Sequence, residues 1–384
     1  MTSICILGST GSVGVQSLEV ARSLGLKVSG LSAYSEVELL AEQARQFGPA
    51  MVGIGDVRAE ARARALFSRM STPPELFFGP EGVSQVAAAA EHDLVVNAIV
   101  GFAGVWPTLA AIDAGHDVAL ANKETLVAAG SVIMDRARQE GVAIRPIDSE
   151  HSAIYQCIQG QGREAVARII LTASGGPFID RYDFADISVA EAISHPNWNM
   201  GPKISVDSAT MINKALEVVE ARWLFDVDSE MIDIVVHRES VIHSMVEYCD
   251  GSIIAQLGTA DMRTPIQYAL TCPERVEGLA AKLDLSSIGK LTFEKPDLSR
   301  FPGAGLGHEA LRHKGVVPAV MSAANEEAVR LFLHGDVRFV DIVDLVMEAM
   351  ESSPRIEEPS LDDIVEADVW AREFVRGRCR SCTR

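Results

Sequence analysis

The stretch Ile4-Cys5-Ile6-Leu7-Gly8-Ser9-Thr10-Gly11-Ser12-Val13-Gly14 decides the fold. Four apolar residues read as a buried strand. The glycines at 8, 11 and 14 permit a tight turn, and residues 15–24 carry helical spacing. A strand, a glycine turn and a helix in direct succession form a corner in which helix amides and the helix dipole receive a pyrophosphate. The spacing is GxxGxxG rather than GxGxxG, so the reading rests on placement: strand before, helix after, at the start of the chain.

Outward from that corner the rhythm repeats. Apolar runs at 27–32, 51–53, 94–100, 118–121 and 143–146 alternate with Ala-rich helical stretches, the pattern of a doubly wound parallel sheet. The expected fold class is α/β: a Rossmann-like domain over 1–149, a central α+β catalytic domain over 150–270, a connecting segment over 271–299 and a C-terminal helical bundle over 300–384. In the central part a helix is expected after Asp207, capped by Asp207 or Ser208. Strands follow at 232–237, 241–248 and 252–257, the last two joined by an Asp250-Gly251 hairpin turn. Helical periods at 319–333, 339–350 and 361–375 make up the bundle.

Composition narrows the function. The chain has 384 residues, 48% of them hydrophobic, with 34 basic against 53 acidic side chains and a formal net charge of −19. Such a surface repels nucleic acid and anionic membranes, and no run approaches a membrane span. Anionic ligands must then be caught by local basic or backbone-amide sites. Met1-Thr2-Ser3 leads into the first strand without a basic or cleavable leader. The six cysteines lack a framework spacing, so the expected location is the cytoplasm. Cys379-Arg380-Ser381-Cys382 is a CxxC without a second pair to complete a metal site.

Ligands of open α/β sheets bind beyond the carboxyl ends of the strands. The second strand ends in Ala33-Tyr34-Ser35-Glu36. Tyr34 and Ser35 can donate to the 2′-phosphate of NADP, whereas Glu36 suits the 2′-hydroxyl of NAD, and the choice stays open. Two further strand ends, Asn97-Ala98-Ile99-Val100-Gly101 and Leu120-Ala121-Asn122-Lys123-Glu124, complete the crevice. Lys123 sits at its mouth, where it meets substrate.

Asp148-Ser149-Glu150 places two carboxylates on one face of an extended segment. Glu217 is a third, one helical turn from Asn213 and Lys214. Three carboxylates without His or Cys between them suit Mg²⁺ or Mn²⁺ rather than Zn²⁺, although a solvated acidic turn has the same local sequence. Thr172-Ala173-Ser174-Gly175-Gly176 can nest a phosphate, or simply turn the chain before Pro177. Between these pieces, 194–203 contains His195, Trp198 and Met200 among Pro, Gly and Asn. It reads as an irregular lid that excludes water.

With these residues in place, the sequence resembles the 1-deoxy-D-xylulose 5-phosphate reductoisomerase family. The matching motifs are GSTGSVG at 8–14, NAIVG at 97–101, LANKE at 120–124, PIDSEHSAI at 146–154 and LTASGGPF at 171–178. HPNWNMGPKISVDSATMINKALEVVEARWLF at 195–225 and MRTPIQYAL at 262–270 complete the set. The resemblance implies that Asp148, Glu150 and Glu217 hold the divalent metal, with Lys123 near the reacting hydroxyls. It places Ser149, Glu150, Ser174, His195, Trp198, Ser208, Asn213, Lys214 and Glu217 at a phosphorylated sugar substrate. Gly8, Thr10, Gly11, Ser12, Val13, Ser35, Asn122, Glu124, Gly201 and Met262 fall where NADPH is contacted.

The implied reaction is metal-assisted rearrangement, by retroaldol cleavage and aldol recombination, followed by hydride reduction to 2-C-methyl-D-erythritol 4-phosphate in non-mevalonate isoprenoid synthesis. A homodimer is implied too. The chain departs from the family pattern at Ala33-Tyr34-Ser35, followed by Glu36, where a Gly, a variable and often basic residue, and an Asn are usual. Two other readings are a metal-independent NAD(P) dehydrogenase of a phosphorylated substrate and a non-enzymatic nucleotide sensor. Metal dependence and turnover separate them.

Overall fold

The structure is a computed structural model that describes residues 3–198 and 200–382. Asn199 of the lid run and the side chain of Cys382 in the CxxC lie outside the described residues. The order opens with β1 (Ser3–Leu7), α1 (Ser12–Ser23), β2 (Lys27–Ala33), α2 (Val37–Phe47), β3 (Met51–Ile54), α3 (Glu60–Phe67) and β4 (Glu75–Phe78). It continues with α4 (Gly79–Ala87), β5 (Leu94–Asn97), α5 (Val105–Asp113), β6 (Asp117–Leu120), α6 (Lys123–Glu140) and β7 (Ile144–Pro146). Next come α7 (Ser149–Cys157), β8 (Val166–Ala173), α8 (Val189–Ala192), α9 (Pro202–Thr210), α10 (Ile212–Phe225), β9 (Ile232–Val236), β10 (Ile242–Tyr248) and β11 (Ile253–Leu257). The last helices are α11 (Arg263–Thr271), α12 (Leu285–Ile288), α13 (Leu306–His313), α14 (Val317–His334), α15 (Phe339–Glu351) and α16 (Leu361–Cys382).

Contacts divide the chain into two units. The first comprises 1–125, 133–152 and 262–280; the second comprises 126–132, 153–261 and 281–384. This line differs from sequence boundaries at 149, 270 and 299, because α11 packs on α1, β6 and β7 of the first unit and Ile266, Ala269 and Leu270 join its core. The helices from α13 onward share one apolar core with α9 and α10.

The first unit holds a seven-stranded sheet, β4-β3-β2-β1-β5-β6-β7, paired in parallel throughout. The order reverses at β1, so the crevice beyond its carboxyl end faces the glycine turn, as a dinucleotide site requires. The sequence reading missed β4, a four-residue edge strand without alternation, and carried β5 three residues too far. The second unit holds the sheet β11-β10-β8-β9, antiparallel except for β8 with β9, and its β10–β11 hairpin turns at Asp250-Gly251 as expected.

Two local expectations are corrected. Asp207 and Ser208 do not cap a helix; they lie inside α9, whose N-cap is Gly201 with Pro202 following. The break falls instead at Met211, a left-handed residue with φ 60° that ends α9 and starts α10. Nor is Asp148-Ser149-Glu150 extended. Ser149 opens α7, and the Asp148 carbonyl accepts the first helical bond from Ser152 N at 2.8 Å.

Two glycines bring the α13 region onto this break. A Cβ on Gly303 would lie 2.5 Å from the Thr210 carbonyl oxygen, and one on Gly307 would lie 2.3 Å from that of Ala215. Both are backbone atoms that cannot rotate away. Gly307→Ala is therefore expected to destabilise the chain by about 1–3 kcal/mol, read as a lower urea midpoint; an unchanged midpoint would contradict the close approach.

A buried polar cluster closes the other end of the first sheet. His92 Nε2 donates to the Val86 carbonyl at 2.7 Å, leaving Nδ1 to accept from the Ser29 hydroxyl at 2.7 Å. Burial, aided by the neighbouring His116, lowers the His92 pKa below the ordinary 6.5. The unfolded chain then takes up the proton first, so stability falls as pH drops below 6.5. Denaturation midpoints measured between neutral and mildly acid pH should show this slope, and His92→Gln should flatten it. An equal slope in the variant would assign the effect to other groups.

Candidate active site

The glycine corner is built by close approach. Gly8 has φ 75°, and a Cβ there would sit 2.7 Å from the Ala98 carbonyl oxygen; a Cβ on Gly14 would sit 2.2 Å from the Gly8 carbonyl oxygen. Ser9 anchors the turn from behind. Its amide donates to the Ser32 carbonyl at 2.8 Å, its hydroxyl to Gln43 Oε1 at 2.7 Å, and Gln43 Nε2 returns a bond to the Ser9 carbonyl at 2.8 Å. Thr10 and Val13 remain half-buried, and Gly11 and Ser12 exposed. No side chain caps α1 at Gly11, which leaves its first-turn amides to face a phosphate.

Asn122 caps α6 and ties the crevice together. Its Nδ2 donates to the carbonyls of Ile99 and, at 2.9 Å, Gly101, while Oδ1 accepts from Thr125 N at 2.8 Å and from the Thr125 hydroxyl. The side chain thus positions the Ala98–Gly101 loop. Asn97 holds the same loop from the strand side, with Oδ1 accepting from Ile99 N at 3.1 Å. Glu124 is buried in the first turn of α6. Met262 lies at the start of α11 against the first core, and Ser35 is exposed beside Tyr34.

Lys123, at the start of α6 and buried, places Nζ 3.0 Å from Asp148 Oδ2. His151 Nδ1 lies 3.1 Å from the same oxygen. Burial pushes the Asp148 carboxyl upward, but the Lys123 charge and the His151 hydrogen bond outweigh it and hold the group well below the usual carboxylate range. Asp148 is therefore ionised. The neighbouring Ser149 hydroxyl donates to Glu150 Oε2. His151 was not singled out from sequence; its spacing of three from Asp148 becomes meaningful only once the segment is a helix.

In the second unit, Gly175 and Gly176 take φ 86° and 68°, which lets the turn after β8 lie against the last turn of α9; a Cβ on Gly176 would be 2.6 Å from the Ser208 carbonyl oxygen. Ser174 Oγ accepts from Gly176 N at 3.2 Å and sits 2.9 Å from His195 Nε2. His195 Nδ1 accepts from the amides of Asn197 and Trp198, at 3.2 and 3.0 Å. That assigns the ring proton to Nε2, which donates to Ser174 and turns the serine hydroxyl outward as a donor.

The described residues of the lid run are irregular at 194–198 and 200–201, but Pro202 and Lys203 belong to α9. Trp198 packs its ring on His243 at 5.8 Å, and Gly201 forms the N-cap of α9. Asp207 is buried for a structural purpose, paired with Lys203 Nζ at 2.8 Å and accepting from Asn325 Nδ2 at 2.8 Å.

The turn at Met211 then directs the first residues of α10. Asn213 Nδ2 donates to Glu217 Oε1 at 2.5 Å, and Lys214 Nζ donates to Glu217 Oε2 and to the Thr172 carbonyl, both at 2.6 Å. Glu217 is fully buried. The expected face of α10, with Asn213, Lys214 and Glu217 together, is thus present.

Known proteins match the chain along nearly its whole length. Residues 4–130 match a family model described as 1-deoxy-D-xylulose 5-phosphate reductoisomerase. Residues 144–225 and 257–374 match its C-terminal domain models. A reductoisomerase of that name from Gloeobacter violaceus is 50% identical over 380 residues, covering 98% of this chain and 97% of its own. One from Acetivibrio thermocellus is 52% identical over 375 residues, covering 97% and 98%. A crystal structure of DOX-P reductoisomerase in complex with NADPH, fosmidomycin and magnesium superposes with a TM-score of 0.95 at 38% identity, covering 100% of both chains. The Zymomonas mobilis enzyme in complex with NADPH gives 0.91 at 40% identity, covering 99% of each. The chain belongs to the 1-deoxy-D-xylulose 5-phosphate reductoisomerase family.

Proposed function

We propose that the chain carries out its family's reaction, the metal-dependent isomerisation and NADPH-dependent reduction of 1-deoxy-D-xylulose 5-phosphate to 2-C-methyl-D-erythritol 4-phosphate. The observation that carries the reading is a buried lysine set against a carboxylate in each unit, Lys123 on Asp148 in one and Lys214 on Glu217 in the other. Burying ions is costly, and such groups are kept where chemistry needs them charged.

Asp148, Glu150 and Glu217 are the proposed metal ligands. Their donors are carboxylate oxygens and Asp148 is held ionised, which suits a hard divalent cation such as Mg²⁺ or Mn²⁺. When bound, the ion supplies charge stabilisation to vicinal oxygens of the sugar, and NADPH supplies hydride. The Gly8–Val13 turn, anchored by Ser9 and Gln43, and the first amides of α1 receive the cofactor pyrophosphate, and Asn122, which holds the Ala98–Gly101 loop, is a further proposed contact. Ser35, Glu124, Gly201 and Met262 complete the proposed cofactor contacts.

The Ser174 hydroxyl, turned outward by the His195 Nε2 proton, offers a donor to the substrate phosphate, with His195, Ser208, Asn213 and Ser149 as further proposed polar contacts. Lys214 pairs with Glu217, and Lys123, which helps hold Asp148 ionised, is the proposed contact to a substrate hydroxyl. Trp198 covers the bound sugar and excludes water.

Among the described residues no helix is long and apolar enough to cross a membrane; a cytoplasmic location is proposed. A homodimer is proposed on the edge of the second sheet, where β11 has one strand neighbour and exposes Ile253, Ile254 and Leu257.

Glu217→Gln and Asp148→Asn should each cut turnover by orders of magnitude while NADPH binding, followed by its fluorescence, persists. Excess EDTA should abolish consumption of NADPH, and Mg²⁺ or Mn²⁺ should restore it. Full turnover in EDTA would favour the metal-independent dehydrogenase instead. Sedimentation should give a dimer that Ile254→Lys converts to monomer; a monomeric wild type would remove the edge assignment.

A further inference from the structure

The carboxyl end of β2 presents a conflict of charge. A cofactor 2′-phosphate requires a cation there, and a carboxylate at the same place favours an unphosphorylated ribose. This chain offers Tyr34, Ser35 and Glu36, all exposed and none basic. The neighbouring strand supplies what is missing. β3 pairs with β2 up to Ala33 with Ile54, and the pairing runs on past both ends: Gly55 N donates to the Ala33 carbonyl and Asp56 N to the Tyr34 carbonyl, each at 2.9 Å. Gly55 leaves room for the Tyr34 ring, whose Cδ2 would lie 2.9 Å from a Cβ at that position. Two residues beyond Asp56 stands Arg58, its side chain 82% exposed and its guanidinium forked onto Asp56, with Nε to Oδ1 and Nη2 to Oδ2 both at 2.9 Å. The next cation, Arg62, is paired with Glu38 on α2.

We infer that Arg58 is the residue by which this chain selects NADPH over NADH, exchanging the Asp56 carboxylate for the cofactor's 2′-phosphate beside Tyr34 and Ser35. The inference deepens the proposed function and rests on that reading. A guanidinium already aligned on a planar carboxylate presents the fork of N–H donors that a phosphate accepts. An exposed ion pair contributes little, so giving up Asp56 costs little.

The test is equilibrium titration of NADPH, NADH and 2′,5′-ADP by cofactor fluorescence or calorimetry on the full chain. Arg58→Ala should weaken NADPH and 2′,5′-ADP about tenfold or more and leave NADH unchanged. Arg58→Lys should recover part of the loss, and Arg62→Ala should change neither. Three outcomes would overturn the inference alone: a wild type that binds NADPH and NADH equally, an Arg58→Ala variant with an unchanged NADPH to NADH ratio, or an equal effect from Arg62→Ala. A wild type that binds neither dinucleotide would overturn the proposed function as well.

Discussion

Two carboxylates, each held against a buried lysine, set the terms for the rest of this molecule. Desolvating an ion costs several kcal/mol even after relaxation, and the cost is offset only by a partner of opposite sign in good geometry. Lys123 and His151 meet that demand for Asp148, as Lys214 and Asn213 do for Glu217. Each lysine is in turn fixed by the element that carries it: Lys123 follows the Asn122 cap of α6, and Lys214 reaches the Thr172 carbonyl at the end of β8.

The local backbone is arranged to serve these pairs. Met211 adopts a left-handed conformation that costs a residue with a Cβ about 1–2 kcal/mol, and the contacts of Gly303 and Gly307 hold it there. Without the break, α9 and α10 would be one helix and the Asn213, Lys214 and Glu217 face would point elsewhere. The turn at Gly175-Gly176 depends on the same place, because it lies against the Ser208 carbonyl with no room for a side chain.

At the nucleotide end the same economy of backbone applies. Gly8 and Gly14 are there for close approach, while Ser9, Gln43, Asn97 and Asn122 hold the surrounding loops by hydrogen bonds to main chain. An acidic protein with a net charge of −19 can therefore present amides rather than basic side chains to a pyrophosphate. Its surface charge says little about what it binds.

Much of this was legible in the chain. The alternation of apolar runs and helical stretches specifies the parallel sheet, since a buried strand and an amphipathic helix each impose their own period. The acids, the glycine turns and the lid residues stand out because few other combinations serve their chemistry. What the sequence did not disclose depends on partners remote along the chain. β4 is too short to declare itself. The α9–α10 break is made by Met211, which no propensity would choose, and it persists because glycines some ninety residues away press on it. The segment after Asp148 reads as extended by its acids and becomes a helix when folded, which is why His151 escaped notice. Arg58 gains meaning only from β3 lying beside β2. Residue types and local periods belong to the sequence; which charge faces which, and what backbone strain is tolerated, is decided by packing, because only tertiary contacts exclude the water that would otherwise screen one and relieve the other.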